Sequence, residues 1–336
     1  MGLIKVPNEI DLKDIFIDIH CIGKNPQGEG ILFAIRKNNY LIYSAIIDES
    51  IDKKLLSDEG IEELDLICWT HPHDDHTDGL KEMLKNYAGP KTKIVVPNGI
   101  SDFRKYMSKK CKSTYKPLKK INRRNSNKNG EYIEVNSYNV IEYTYVDKNG
   151  KMLNIKINSL APISSRINNI RNNKHCNLNE LSVCLLISVN DICFLFSSDI
   201  YNSVINDMNI ELEKFKNIIY YKIPHHGSEK SNSLLDKIPS SNNGRIAVST
   251  IYKNNGQDKT PNISLLNKYI EKGIQVYCTS ESYMKELKGK YNFGIVSIRI
   301  QMENAMQEEN LKWDIKLEGE ATEVKKIEEK CVFNIE

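Results

Sequence analysis

The chain has 336 residues, 40% of them hydrophobic and 27% charged, and its 47 Lys and Arg against 44 Asp and Glu give a formal net charge of +3. These values exclude a disordered chain, which would be poorer in apolar residues and more lopsided in charge, and they leave room for a sizeable core. Eight cysteines with no C-x-x-C pair, several inside apolar runs, argue against a disulfide framework and for a reducing compartment.

The opening MGLIKVPNEIDLKD lacks the basic-then-apolar order of a signal peptide, and no run approaches the roughly eighteen apolar residues of a membrane span. A cytoplasmic chain with no membrane contact is expected. Residues 14–20, 31–35 and 40–47 read as the strands of a β-meander, the last ending at Asp48. A short helix within 51–63 leads to a strand at 64–69. Immediately after it, residues 71–76 read H-x-H-x-D-H, and Leu80, Met83, Leu84 and Tyr87 then give a helix an apolar face.

Strand 93–97 precedes a basic stretch with eleven Lys or Arg and no acid between Arg104 and Lys128, interleaved with Tyr106 and Tyr115. Such a run is either a solvated helix face or a track for phosphate. Segments 131–135, 138–146 and 152–160 alternate like strands, the last two joined by a turn at 147–150. The Asn-rich stretch 164–179 reads as an irregular loop. Residues 181–199 then form an apolar hairpin turning at Asn190 and Asp191, polar residues that make a membrane helix expensive; its second strand ends at Asp199. A helix near 203–215 and a strand at 217–223 run into Pro224-His225-His226-Gly227-Ser228. Strands at 245–251, 274–279, 294–301 and 312–318, with a helix at 262–272, complete the chain.

Of seven histidines, five lie in two loops at strand ends, which core packing does not explain. Imidazole and carboxylate suit borderline divalent cations, and alternate residues of an extended segment point the same way. His71 and His73 can therefore grip one ion, while Asp75, His76 and one of the 225/226 pair hold a second. Asp199 is placed to bridge the two. We assign His71, His73, Asp75, His76, Asp199 and His225 as metal ligands, and Asp75 and His226 as the groups acting in catalysis. The cofactor expected is a pair of divalent ions, zinc first and manganese second.

The H-x-H-x-D-H loop after a core strand resembles the signature of the metallo-β-lactamase fold superfamily. Within it, Phe194 to Asp199 (FLFSSD) and Lys222 to Ser228 (KIPHHGS) look like the soluble hydrolase domain of ComEC-type competence proteins. The resemblance implies an α/β chain folded as an αββα sandwich, with residues 1–302 forming the hydrolase domain. It carries a basic insertion at about 102–130 and an acidic extension over 303–336.

The resemblance also implies phosphodiester hydrolysis by a hydroxide shared between two metals, with nucleic acid or another phosphodiester as substrate and Ser228, Lys230 and Ser231 near the phosphate. Two departures stand out. Residues 159–162 lack the extra histidine that many members supply to the first metal, leaving His20 or His175 as substitutes, and Lys259-Thr260-Pro261 stands where relatives have His-Pro. Two other readings therefore accompany the nuclease or phosphodiesterase: hydrolysis of a cyclic nucleotide, lactone or thioester, and a non-catalytic scaffold of the same fold.

Overall fold

Along Ile15–Lys24, the residues Ile15, Ile17, Ile19 and Cys21 enter one apolar cluster while Asp18, His20 and Ile22 face the other way. This two-residue period makes the segment a strand with two different faces. The computed structural model of the chain describes residues 3–5, 15–24, 28–38, 40–48, 51, 53–124, 130–146, 152–172, 176–208, 215–240, 244–252, 260–281, 293–302 and 313–326.

In chain order the strands are β1 (Leu3–Lys5), β2 (Ile15–Lys24), β3 (Gly28–Lys37), β4 (Tyr40–Ile47), β5 (Leu64–Cys68), β6 (Ala88–Pro97), β7 (Glu131–Val135), β8 (Val140–Val146), β9 (Met152–Ala161), β10 (Cys184–Val189), β11 (Ile192–Phe196), β12 (Ile218–Lys222), β13 (Ile246–Ser249), β14 (Gln275–Cys278), β15 (Ile295–Gln301), β16 (Asp314–Glu318) and β17 (Thr322–Glu323). They build an eight-stranded sheet ordered β16-β15-β2-β3-β4-β5-β6-β7 and a nine-stranded sheet ordered β1-β8-β9-β10-β11-β12-β13-β14-β17. Each sheet is antiparallel in one part and parallel in another: β4 to β7 run parallel in the first, β11 to β14 in the second.

Parallel neighbours need crossovers, and helices supply them. Lys53–Asp58, Leu80–Asn86 and Lys109–Arg124 return the chain across the first sheet; Asn202–Asp207, Ser233–Lys237 and Ile263–Glu271 return it across the second. The two inner faces meet in a cluster holding Ile17, Phe33 and Tyr43 from one sheet and Ile187, Phe194 and Phe196 from the other. Phe33 packs edge-on against Phe194 and Phe196, with ring centroids 5.4 and 5.8 Å apart. Separate clusters lie under the helices on each outer face. The architecture is an αββα sandwich, as the motifs imply.

The basic stretch contains one amphipathic helix, Lys109–Arg124, whose Cys111, Tyr115 and Leu118 are buried in the outer cluster while Lys109, Lys110, Lys116 and Lys120 are exposed. Residues 164–179 depart from the loop expected of them. Ser164–Asn172 is helical, because Ile167 and Ile170, one turn apart, pack with Phe103, Leu178 and Leu181 and outweigh the low helix propensity of the asparagines. The turn expected at 147–150 falls outside the described residues, although β8 and β9 pair antiparallel on either side of it. Within 303–336, β16 extends the first sheet beside β15, and β17 extends the second beside β14. No helix among the described residues is long and apolar enough to cross a membrane.

Candidate metal centre

Parallel strands from both sheets end at one place, and their following loops carry the polar groups. β4 ends at Asp48, β5 runs into His71–His76, β11 into Asp199, β12 into His225 and His226, and β13 into Thr250 and Tyr252. Crevices outside the carboxyl ends of parallel strands are where α/β sheets bind ligands. The loops are tied across the sandwich, where Ser198 Oγ donates to Thr70 Oγ1 at 2.8 Å and Val183 N to Thr70 O at 3.0 Å, and within the second sheet, where His225 N donates to Ser198 O at 2.9 Å.

Asp199 Oδ2 is the point of convergence. It lies 3.4 Å from His76 Nε2, 3.7 Å from His226 Nε2, and 3.9 Å from both His71 Nε2 and His225 Nε2. Asp75 Oδ2 is 3.4 Å from His76 Nε2 and from His226 Nε2. His71 Nε2 and His73 Nδ1 are 3.0 Å apart. Among the described residues three groups of candidate ligand atoms result, the atoms of each lying within 4.8 Å of one another: Asp75, His76, Asp199 and His226; His71, His73 and Asp199; and, behind them, Glu29, Asp48 and His76. Of the paired histidines it is His226 that joins the group around His76, whereas the sequence reading gave the ligand role to His225.

The backbone explains how both histidines face the site. His225, His226 and Gly227 have φ of 48°, 52° and 77°. Left-handed geometry at non-glycine residues costs on the order of 1–3 kcal/mol each and persists where the surroundings enforce it. Gly227 is required twice over, since a Cβ there would also come 2.6 Å from Pro261 Cβ.

Behind the ligands stands a second set of groups that the motifs did not announce. His76 Nδ1 donates to Asp48 Oδ2 at 2.7 Å, and Asp48 also accepts from Thr70 N and Thr70 Oγ1 at 2.8 and 2.6 Å. His226 Nδ1 meets Thr250 Oγ1 at 2.9 Å and Glu29 Oε2 at 3.3 Å, and Thr250 Oγ1 donates to the same carboxylate. Glu29 Oε2 is paired with Lys222 Nζ at 2.9 Å, both side chains being buried. With Nδ1 so engaged, His76 and His226 turn Nε2 toward the cluster. Strand phase gave the available signal: Glu29 falls in step with Ile31 and Phe33, and Lys222 with Tyr220, so both point into the sandwich.

Electrostatics match this geometry. Burial works against a charged His76, but the carboxylates of Asp75, Asp199 and Asp48 outweigh it and hold its pKa well above the ordinary histidine value. His226 is raised in the same way by Asp199 and Glu29, while burial lowers His71, His73 and His225. Burial also opposes the charge on Asp199 and Asp75, yet the neighbouring imidazoles keep both well below the usual carboxylate range. Among the described residues His76 Nε2, His226 Nε2 and Asp199 Oδ1 are buried without a hydrogen-bond partner. Orphaned imidazole nitrogens gathered around one carboxylate fit a divalent cation.

The cluster opens on a cleft of about 630 Å³ whose lining includes His73, Asp74, Asp75, Tyr106, Asn179 and Tyr252. The remaining candidates sit elsewhere. His20 faces the outer side of β2, where Nδ1 meets Ser297 Oγ at 2.9 Å and Nε2 lies 3.5 Å from Glu59, so it does not reach the cluster. His175 and Lys259 are outside the described residues; Cys176 and Asn177, next to His175, line the cleft. Ser231 is buried and donates to Ile200 O at 2.7 Å, Ser228 Oγ accepts from Lys230 N at 3.4 Å, and Lys230 is exposed. None of these three is among the cleft-lining residues.

No family model matches the chain. No curated protein matches it either. Among solved structures it is similar to a protein assigned as a metal-dependent hydrolase from Parabacteroides distasonis, at 12% identity over 77% of this chain and 96% of that one, with a TM-score of 0.38. It is also similar to Igni18, a metallo hydrolase from the archaeon Ignicoccus hospitalis, at 13% identity over 78% and 81% of the two chains and a TM-score of 0.34. A diphosphatase of the PhnP family aligns at 10% identity over 92% of this chain and all 100% of that one, with a TM-score of 0.37. Likenesses this distant carry no argument about activity, which rests on the residues themselves.

Proposed function

We propose that the protein is a metal-dependent phosphodiesterase or nuclease, of the kind suggested by the similarity of its loops to ComEC-type hydrolase domains. The observation that carries this reading is the convergence on Asp199 Oδ2 of imidazoles from two loops, with buried ligand atoms left unpartnered. His71, His73 and Asp199 would hold one divalent ion, and Asp75, His76, Asp199 and His226 a second, zinc or manganese. Bound there, such ions would supply a lowered water pKa of around 7 and would offset the charge that develops on phosphorus. His225, beside the cluster and facing the cleft, is the imidazole placed to exchange protons with the reacting oxygens, burial favouring its neutral form. Lys230, exposed beyond that loop, remains the candidate for more distant phosphate contact.

The basic helix supports a polyanionic substrate. Ser108, which lines the cleft, caps this helix by accepting from Cys111 N at 3.1 Å, and its hydroxyl also donates to Asp74 in the metal-binding loop. Lys105 Nζ lies 4.8 Å from the ring centroid of Tyr106, another lining residue. Cations therefore begin at the edge of the cleft and continue along the helix, where each phosphate contact would release counterions.

The test is elemental analysis of the purified protein together with hydrolysis of bis(p-nitrophenyl) phosphate and of single-stranded DNA, for wild type and Asp75→Ala. Two metals per chain and Asp75-dependent turnover are expected, with DNA binding that weakens steeply as salt rises. Turnover of the small ester without salt-sensitive DNA binding would favour a small-molecule substrate. Metal-free protein without turnover after zinc or manganese is added would overturn the hydrolase reading.

A further inference from the structure

The segment that follows β13 touches His226 on two sides. Thr250 Oγ1 meets Nδ1 of that imidazole at 2.9 Å, and the Tyr252 ring lies against its face, with centroids 5.2 Å apart and planes tilted by 30°. Tyr252 is half-buried and lines the cleft together with Asp75, Asp199 and His225. Imidazole and carboxylate are the donors the cluster gathers for a cation, so the phenol is left over for another task.

Tyr252 is braced from behind. Thr260 donates to Tyr252 O twice, from Oγ1 at 3.0 Å and from N at 3.3 Å, and the two residues form an isolated β-bridge. The next two residues are locked to the histidine loop. Asn262 N donates to Gly227 O at 2.9 Å, and Pro261 packs so closely on Gly227 that a Cβ there would come 2.6 Å from Pro261 Cβ. Thr260 to Asn262 therefore hold Tyr252 and the 225–227 loop against one another, and the phenol is pre-placed rather than ordered on binding.

The hydroxyl end lies in the field of the cluster. After burial, the carboxylates of Asp75 and Asp199 are the groups that push its pKa up. A phenol of ordinary pKa already keeps its proton at neutral pH, and its O–H can donate where a carboxylate can only accept.

Cleavage of a phosphodiester expels an oxygen that takes on negative charge as its bond to phosphorus breaks. Asp74, Asp75 and Asp199, which line the same cleft, oppose that charge. An uncharged O–H held beside them stabilises it without adding a fourth acid.

We propose that Tyr252 is a catalytic residue whose hydroxyl donates a hydrogen bond to the leaving oxygen of a phosphodiester. This rests on the phosphodiesterase reading and adds the group that assists departure of the ester. Such a bond matters most where the leaving oxygen concentrates its charge. p-Nitrophenolate spreads the charge over its ring and nitro group, and phenolate does so far less. Dependence on the leaving group therefore separates a hydroxyl that acts on the departing oxygen from a ring that merely supports His226.

The experiment uses zinc-loaded full-length protein and compares wild type with Tyr252→Phe and Tyr252→Leu. Metal content, 31P line broadening of dimethyl phosphate, and kcat/KM for methyl p-nitrophenyl phosphate and methyl phenyl phosphate are measured. Tyr252→Phe should keep wild-type metal content and dimethyl phosphate binding. It should lose about a hundredfold in kcat/KM on the phenyl ester, the scale of one lost oxyanion donor, and markedly less on the nitrophenyl ester. Tyr252→Leu, which also takes the ring away from His226, should lose at least as much.

Equal losses of Tyr252→Phe on the two esters would place the hydroxyl somewhere other than the leaving oxygen and overturn the proposal. Full activity of Tyr252→Phe would overturn it by leaving the ring as the whole contribution, and loss of metal from that variant would make Tyr252 a support of the cluster instead. A wild type active on the nitrophenyl ester alone would show that nothing assists departure, and would overturn it too. A wild type that carries metal but turns over neither ester removes the phosphodiesterase reading and this inference together, and is told apart by the wild-type arm alone.

Discussion

A lysine and a glutamate meet out of contact with water behind two histidines that arrive from different loops. Glu29 touches His226 directly, lies 3.7 Å from His76 through its other oxygen, and has Lys222 as its counter-charge. Removing one member strands the other, and breaking such a pair costs about 3–5 kcal/mol, whereas replacing both with uncharged groups of similar size costs far less. Glu29→Gln should accordingly show a strongly lowered urea midpoint, and Glu29→Gln/Lys222→Met should recover most of it. Equal midpoints for the single and double variants would mean that the pair does not act as a unit.

The raised pKa values of His76 and His226 have a further consequence. Both imidazoles hold a proton more tightly than a free histidine does, so a cation competes with protons for them. Binding should release a number of protons set by the pH and strengthen as pH rises. Calorimetry in two buffers of different ionisation enthalpy reads that number, and a buffer-independent heat would rule it out.

At this scale the sequence was legible where ligands are clustered, in His71 to His76 and in His225 and His226, and where a strand visibly ends, at Asp199. It was not legible at Glu29, Lys222 and Thr250. Each is a single polar residue in a strand or at its end, with partners far away in the sequence.

Strands and their crossovers were readable from apolar periodicity, and the loops that carry the site follow from strand ends. What periodicity does not reveal is an acid enclosed within such a strand. Asp65 in β5 accepts from Ser44 N at 2.8 Å. Burial lifts its carboxyl from the ordinary 3.8 to about 6, against the pull of that hydrogen bond. The folded chain therefore holds this proton more tightly than the unfolded chain does. The stability it contributes is complete below pH 3.8 and is lost as pH rises through 6.

Asp65→Asn keeps an oxygen for Ser44 and removes the titration. Relative to wild type, it should gain about 2–3 kcal/mol between pH 4 and pH 8, read from denaturant curves at the two pH values. A constant difference would mean that Asp65 is solvated. The Asn-rich segment was the element misread, because its two isoleucines gain their helix-forming contacts only from Phe103, Leu178 and Leu181.

For the whole molecule, the sandwich depends on contact between two sheets whose strands interleave little in sequence. Phe33 reaches both Phe194 and Phe196 across the interface. Phe33→Ala should destabilise the chain by about 3–5 kcal/mol through lost burial and the cavity left behind. A double-mutant cycle with Phe194→Ala should show coupling, and strict additivity would mean that the rings do not support one another. A strand at 312–318 is expected and matches β16, but its place at a sheet edge, and β17 altogether, were hard to anticipate for a similar reason. Their partners, β15 and β14, lie in different sheets, a long-range arrangement that local pattern does not encode.

The same architecture gives the site a thermodynamic reach beyond chemistry. Asp48 and His71 to His76 follow strands of one sheet, whereas Asp199, His225 and His226 follow strands of the other. An ion gripped from both sides acts as a non-covalent cross-link that the unfolded chain cannot form. By mass action it adds about 2.7 kcal/mol of stability at a free concentration one hundred times its dissociation constant. The melting temperature should therefore climb with the logarithm of free metal, and a chelator should shorten the life of the fold as well as silence the site. Persistence of the protein would then be a readout of metal supply.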